Sequence, residues 1–169
     1  MIECVELFLS QYFGANKKDL SKLIENELAI SFFMMWTVVE KDLFDKNANK
    51  EKITELGVKF GGAKLCLDQS ASYFHSRYQN KEHHRKLTHG DRYPIFDSIL
   101  GKNFQDLSSA EKLQLMLYVT YRYRNNIFHG NKGIEAWLHY STQIRTCTEF
   151  MVDFCSVMKK EKLLRVDPK

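Results

Sequence analysis

The sequence predicts an all-α protein, a single helical-bundle domain of about five to seven helices. Three observations carry that expectation. Apolar residues recur at three-and-four spacing along most of the 169 residues. Only two prolines are present, Pro94 and Pro168, so long helices meet almost no breaker. No regular series of turn residues marks a sandwich or barrel of short strands. Hydrophobic residues are 44% of the chain and charged residues 27%, which fills one ordinary interior and excludes disorder as a description of the whole. A chain of this length is most economically one domain, spanning 1–169, and no repeat, low-complexity tract or linker divides it.

The elements follow in order. Ile2 to Tyr12 sets Val5, Leu9 and Tyr12 on one face and stops near Gly14, as a short packing helix would. From Lys18 to Phe44 the apolar positions Leu20, Leu23, Ile24, Leu28, Phe32, Met35, Val38 and Val39 predict a long helix. It becomes apolar nearly all round in its middle and is expected at the centre of the bundle. Glu40 stands directly beside this run. Lys52 to Asn80 keeps a helical pattern punctuated by Gly57 and Gly61-Gly62, which reads as two helices or one broken helix.

Lys81 to Tyr93 is polar and basic, with Lys81, Arg85, Lys86, Arg92 and the histidines His83, His84 and His89, and is expected to be a loop before Pro94 restarts order. Ser108-Ser109-Ala110-Glu111 is a capping box that should start a helix running to about Phe128, with Gly130 as its left-handed stop. Ile134 to Lys160 carries Trp137, Tyr140, Ile144, Cys147, Met151, Phe154 and Met158 in alternating three-and-four steps, a seam that must pack along another helix.

A net charge of +4 and a pI near 8.8 favour an anionic partner without reaching the composition of an arginine-rich binder. The four cysteines form no C-x-x-C pair, and no leader-like segment opens the chain, so a reduced, cytoplasmic protein is expected. Leu28 to Val39 is the longest apolar stretch, well short of the ~20 residues that span a bilayer, and no membrane partner is expected.

The informative stretch is Tyr121-Arg122-Tyr123-Arg124-Asn125-Asn126-Ile127-Phe128-His129-Gly130. On a helical wheel Arg124 falls among Leu113, Leu117, Thr120, Ile127 and Phe128, where an apolar side chain would be expected. A guanidinium there is costly unless it faces a carboxylate, an open cavity or an anionic ligand, and Glu40 is the candidate internal partner. Asn125 and His129 share a face, whereas Arg124 and His129 are about 140° apart on a regular helix. Arg124 and His129 converge on one ligand only if the helix unwinds near Gly130 or if two copies pool their residues.

An Arg, a polar residue, three more positions and a His, in a helical protein of this size and ordering, resembles the HEPN superfamily, helical domains of prokaryotic conflict systems and of several eukaryotic RNA-processing proteins. Arg124, Asn125 and His129 fit the motif, and Ile127-Phe128-His129-Gly130 matches its apolar-apolar-His-Gly ending. The resemblance covers about Lys18 to Lys160, and small toxin- or defence-associated bacterial members look most similar. It implies an up-and-down four-helix core with extra short helices. It further implies a metal-independent endoribonuclease, without cofactor, acting as a toxin or antiviral effector, with RNA as substrate, a homodimeric assembly and an antitoxin protein as a further partner.

The chemistry suits the residues. RNA carries its own nucleophile, so an enzyme need only take the 2′-hydroxyl proton, neutralise the phosphorane and protonate the leaving 5′-oxygen. His129 would serve as base, or as acid if a second protomer supplies the base, and Arg124 would clamp the scissile phosphate. Asn125 would hold the imidazole or a phosphate oxygen. Glu40 either orients Arg124 or is merely the polar end of its helix. Arg122, Tyr121, Tyr123 and Asn126 are the candidate RNA contacts, by charge, stacking and hydrogen bonding.

His83, His84 and His89 with His75 and Cys66 match no established metal-ligand spacing, and no metal is expected. Gly61-Gly62 lacks the setting of a phosphate loop. The competing function class is a non-catalytic helical module that dimerises or docks a partner through the seam of the last helix or the apolar face of the long one. In that reading Arg124 and Glu40 are a core pair and His129 is a helix-end residue favoured by the dipole.

Overall fold

The computed structural model describes residues 27–128 and 139–161. Among the described residues there are seven α-helices, one 3-10 turn and no strand, so the chain is all-helical. The helices are α1 (Glu27–Asp42), α2 (Lys50–Phe60), α3 (Asp68–Tyr78), α4 (Lys81–Thr88), α5 (Pro94–Leu100), α6 (Ser109–Phe128) and α7 (Ser141–Lys160), with the 3-10 turn at Phe104–Asp106 between α5 and α6. None is long and apolar enough to cross a membrane. The expected helix over Ile2 to Tyr12, the onset of the long helix at Lys18, the Gly130 stop and Trp137 lie outside the described residues.

Helix α6 is the centre of the bundle. Every residue from Leu113 to Thr120 is buried, and α2, α3, α4, α5 and α7 all pack against it. Its start is fixed as the sequence predicts: the Glu111 amide donates to Ser108 Oγ (3.3 Å), and Glu111 Oε2 accepts from the Ser108 amide and hydroxyl (both 2.9 Å). Lys102 Nζ adds a bond of 2.5 Å to Glu111 Oε1, and these donors hold the Glu111 carboxyl below its ordinary range.

The central position expected for the long apolar helix therefore belongs to α6 and not to α1. Helix α1 buries a single stripe, Ala29, Phe32, Trp36 and Val39, and leaves Ile30, Met34 and Val38 exposed. Its partner is α7, whose seam residues Ile144, Cys147, Met151, Phe154 and Met158 are all buried, as their spacing predicts. Each large apolar side chain so buried stabilises the fold by roughly 1.5–3 kcal/mol. Burial also pushes the Cys147 thiol up to about 12 and Cys155 to about 11, which leaves both inert as nucleophiles.

The glycine-marked stretch resolves into two helices, separated over Gly61–Leu67. Gly57 does not break α2: it is buried where α2 crosses α6, and a Cβ there would stand 2.1 Å from Gln114 Cγ. Four residues on, a Cβ at Gly61 would meet Ala110 Cα at 2.7 Å. The pair of glycines lets two helix backbones approach closely.

The expected loop from Lys81 is instead helix α4. Asn80 caps it, its side chain accepting from the Glu82 and His83 amides (2.9 and 3.1 Å). His89, at φ 48° and ψ 36°, closes it in the left-handed conformation. Only Leu87 and Thr88 are buried, so almost no apolar periodicity betrays the helix. What holds its far end comes from α6.

Candidate active site

The C-terminal third of α6 presents two arginines to opposite sides. Arg122 points inward: its Nε donates to Leu87 O (3.2 Å), Nη2 to Thr88 O (2.8 Å) and Nη1 to Asp91 Oδ2 (2.8 Å). Asn126 Oδ1 lies 3.5 Å from Nη2, and Asn126 Nδ2 donates to Leu87 O at 3.0 Å. These donors satisfy the orphan carbonyls at the end of α4. Asp91 also takes Lys50 Nζ at 2.7 Å, so one carboxylate joins α2 to the clasp.

Arg122 is 8% exposed and Asn126 1%. Both are sequence candidates for RNA contact, and in the structure their hydrogen-bonding groups are committed to α4. Tyr123, a further sequence candidate, also points inward. It is buried, and its hydroxyl accepts from the Tyr78 hydroxyl at 3.0 Å. Burial raises both phenols, so they stay protonated at neutral pH.

Arg124 faces the other way, toward α1. Its Nη2 lies 3.4 Å from Glu40 Oε1, and its Nη1 donates to Asn125 Oδ1 at 3.0 Å. The second oxygen of Glu40 accepts from Trp36 Nε1 at 3.0 Å. The guanidinium carbon stands 5.8 Å from the Trp36 ring centre, within reach of a cation–π contact. Tyr121, half-buried, flanks the same indole at 6.5 Å. Glu40 and Trp36 are four apart on α1 and so share a face.

Side chains of Arg124 and Glu40 are 27% and 26% exposed, so the pair is neither sealed nor fully solvated. At 3.4 Å and this exposure, the contact with Glu40 has the geometry of a weak ion pair. The structure thus brings together Glu40, Arg124, Asn125 and Tyr121 of the sequence candidates. Trp36, which orients Glu40, was missed. Its signal was present as an indole one turn before a carboxylate. His129 lies outside the described residues, immediately after the last described turn of α6.

Among the histidines considered for a metal, His75 is buried with Nε2 3.1 Å from Lys102 O, and His84 Nε2 sits 2.9 Å from Asp97 Oδ1. Among the described residues no three His, Cys, Asp or Glu side chains gather as a metal site. No family model, no curated protein and no solved structure matches this chain.

Proposed function

We propose that the protein is a metal-independent endoribonuclease of the HEPN type, acting in the cytoplasm as a toxin or antiviral effector, as a homodimer and under the restraint of an antitoxin protein. The observation that carries the reading is Arg124: a guanidinium at the end of the central helix, held by Glu40 and Asn125 over the Trp36 indole, five residues before His129. A planar fork of donors, held but not sealed, suits a scissile phosphate. The reaction forms a bond from the RNA 2′-oxygen to phosphorus and breaks the bond to the 5′-oxygen. The base takes the 2′-hydroxyl proton, the 5′-oxygen gains one, and the products are a 2′,3′-cyclic phosphate and a 5′-hydroxyl. His129 is the proposed base, or the acid where a second protomer supplies the base, and Arg124 stabilises the phosphorane.

The test is cleavage of a mixed RNA pool in EDTA by the wild type, His129→Ala and Arg124→Ala, with product ends identified. Cutting that leaves cyclic phosphates and vanishes in both variants is the expected result. No cutting by any well-folded form favours the second reading, a docking module, which the exposed row Ile30, Met34 and Val38 on α1 recommends.

A further inference from the structure

We propose that helix α4, with Arg77 at the end of α3, binds the phosphate backbone of RNA at a site separate from Arg124; RNA as the anion rests on the ribonuclease reading. Residues 77–92 hold five cations, Arg77, Lys81, Arg85, Lys86 and Arg92, against two carboxylates, Glu82 and Asp91, so they carry three of the chain's net charge of +4. They also hold three of its six histidines. Asp91 is turned inward to Lys50 and Arg122. That leaves Glu82, paired with Lys86, as the only carboxylate on α4 itself.

Lys81, Arg85, Lys86 and His89 are all exposed. One flank of α4 borders an open groove of about 290 Å³, lined by Tyr78, Gln79, Lys81, His84, Asp97 and Leu100. There His84 lies flat on Phe96, with ring centres 5.4 Å apart and planes at 17°. On the other flank Arg77, His83 and Lys86 meet the phenols of Tyr78, Tyr123 and Tyr140 around a crevice of about 10 Å³, room for a single water. A phosphate therefore sits at its mouth and not inside.

Arg77 is held in place. With the Gln143 amide oxygen turned toward it, that oxygen accepts from Arg77 Nη1 (3.2 Å) and Tyr73 OH (2.7 Å), while the amide nitrogen donates to Tyr140 O (3.1 Å). Arg77 Nε is buried with no acceptor among the described residues. The clasp from Arg122 and Asn126 fixes α4 on the face of α6 opposite Arg124. A helix is about 10 Å across, so the site on α4 and Arg124 are separated by about the width of α6.

The experiment measures binding without cleavage. Full-length His129→Ala protein is titrated into a fluorescent single-stranded RNA of mixed sequence, at several salt concentrations. The same background carries Lys81→Gln, Arg85→Gln and Lys86→Gln together, or as a charge-matched control Lys59→Gln, Lys64→Gln and Lys160→Gln, all at exposed positions. We expect the α4 triple variant to bind at least about tenfold more weakly, and its salt slope to fall by about two, as three lost phosphate contacts on a single strand require. Unchanged binding, or an equal loss in the control, overturns the inference, as does competition by an acidic polypeptide as effective as RNA. Wild-type cleavage is scored separately. A chain that binds through α4 but cuts nothing loses only the ribonuclease reading, and one that cuts with binding indifferent to α4 loses only this inference.

Discussion

Arg124 Nη2 lies 3.4 Å from Glu40 Oε1, a contact between residues 84 positions apart that ties the end of the central helix to the end of α1. Two residues earlier on the same helix, Arg122 makes a sealed set of bonds to α4 and Asp91. The two arginines differ in exposure: Arg122 is closed off by its partners, and Arg124 is partly open to solvent.

Arg122→Ala should cost about 3–5 kcal/mol in urea unfolding, because it strands buried carbonyls at Leu87 and Thr88 and breaks the pair with Asp91. Arg124→Ala should cost no more than about 1 kcal/mol, as its ion pair is partly exposed. Equal losses for the two would place Arg124 among the structural residues and remove the main support for a phosphate clamp.

The close crossing of α2 and α6 makes an opposite pair of outcomes at adjacent glycines. Gly61→Ala drives a methyl against Ala110, whose Cα and Cβ stand 2.7 and 2.6 Å from the new Cβ, and should destabilise by about 1–3 kcal/mol. Gly62→Ala meets nothing within 4 Å and should be neutral or slightly stabilising. Thermal melts of the two variants decide it; a Gly61→Ala protein as stable as wild type would mean that the helices part without cost.

Glu111 gives the fold a pH-dependent term. The bonds from Lys102 and Ser108 depress its folded pKa, so its stabilisation is complete above the unfolded value of about 4.3 and disappears as pH falls through the folded one. The stability difference between wild type and Glu111→Gln should thus be largest near neutrality. It should close as pH falls below the unfolded value of about 4.3 and through the depressed folded one, because a protonated Glu and a Gln then make similar bonds. A difference that stays constant with pH would show that the charge contributes nothing.

Much of the bundle was legible in the sequence because the signals are local. The Ser108 and Glu111 capping box needs only four residues, and the seam of α7 declares itself by period, since any helix with that stripe must bury it. Glu40 could be named as the partner of Arg124 because an arginine on a buried stripe must find an anion. The division of labour among Arg122, Tyr123, Arg124, Asn125 and Asn126 was not legible: on a helix that is surrounded, neighbouring polar residues look alike in sequence and differ only in what each face meets.

The sequence by itself determined that the chain is helical and where its capped and seamed helices run. Tertiary structure decided that α6 and not α1 is central, and that a polar stretch with two buried residues is the helix α4. The physical reason is that α4 is completed from outside. Its last carbonyls are satisfied by Arg122 and Asn126, 34 to 39 residues further along the chain, and no local pattern records a bond made at that separation.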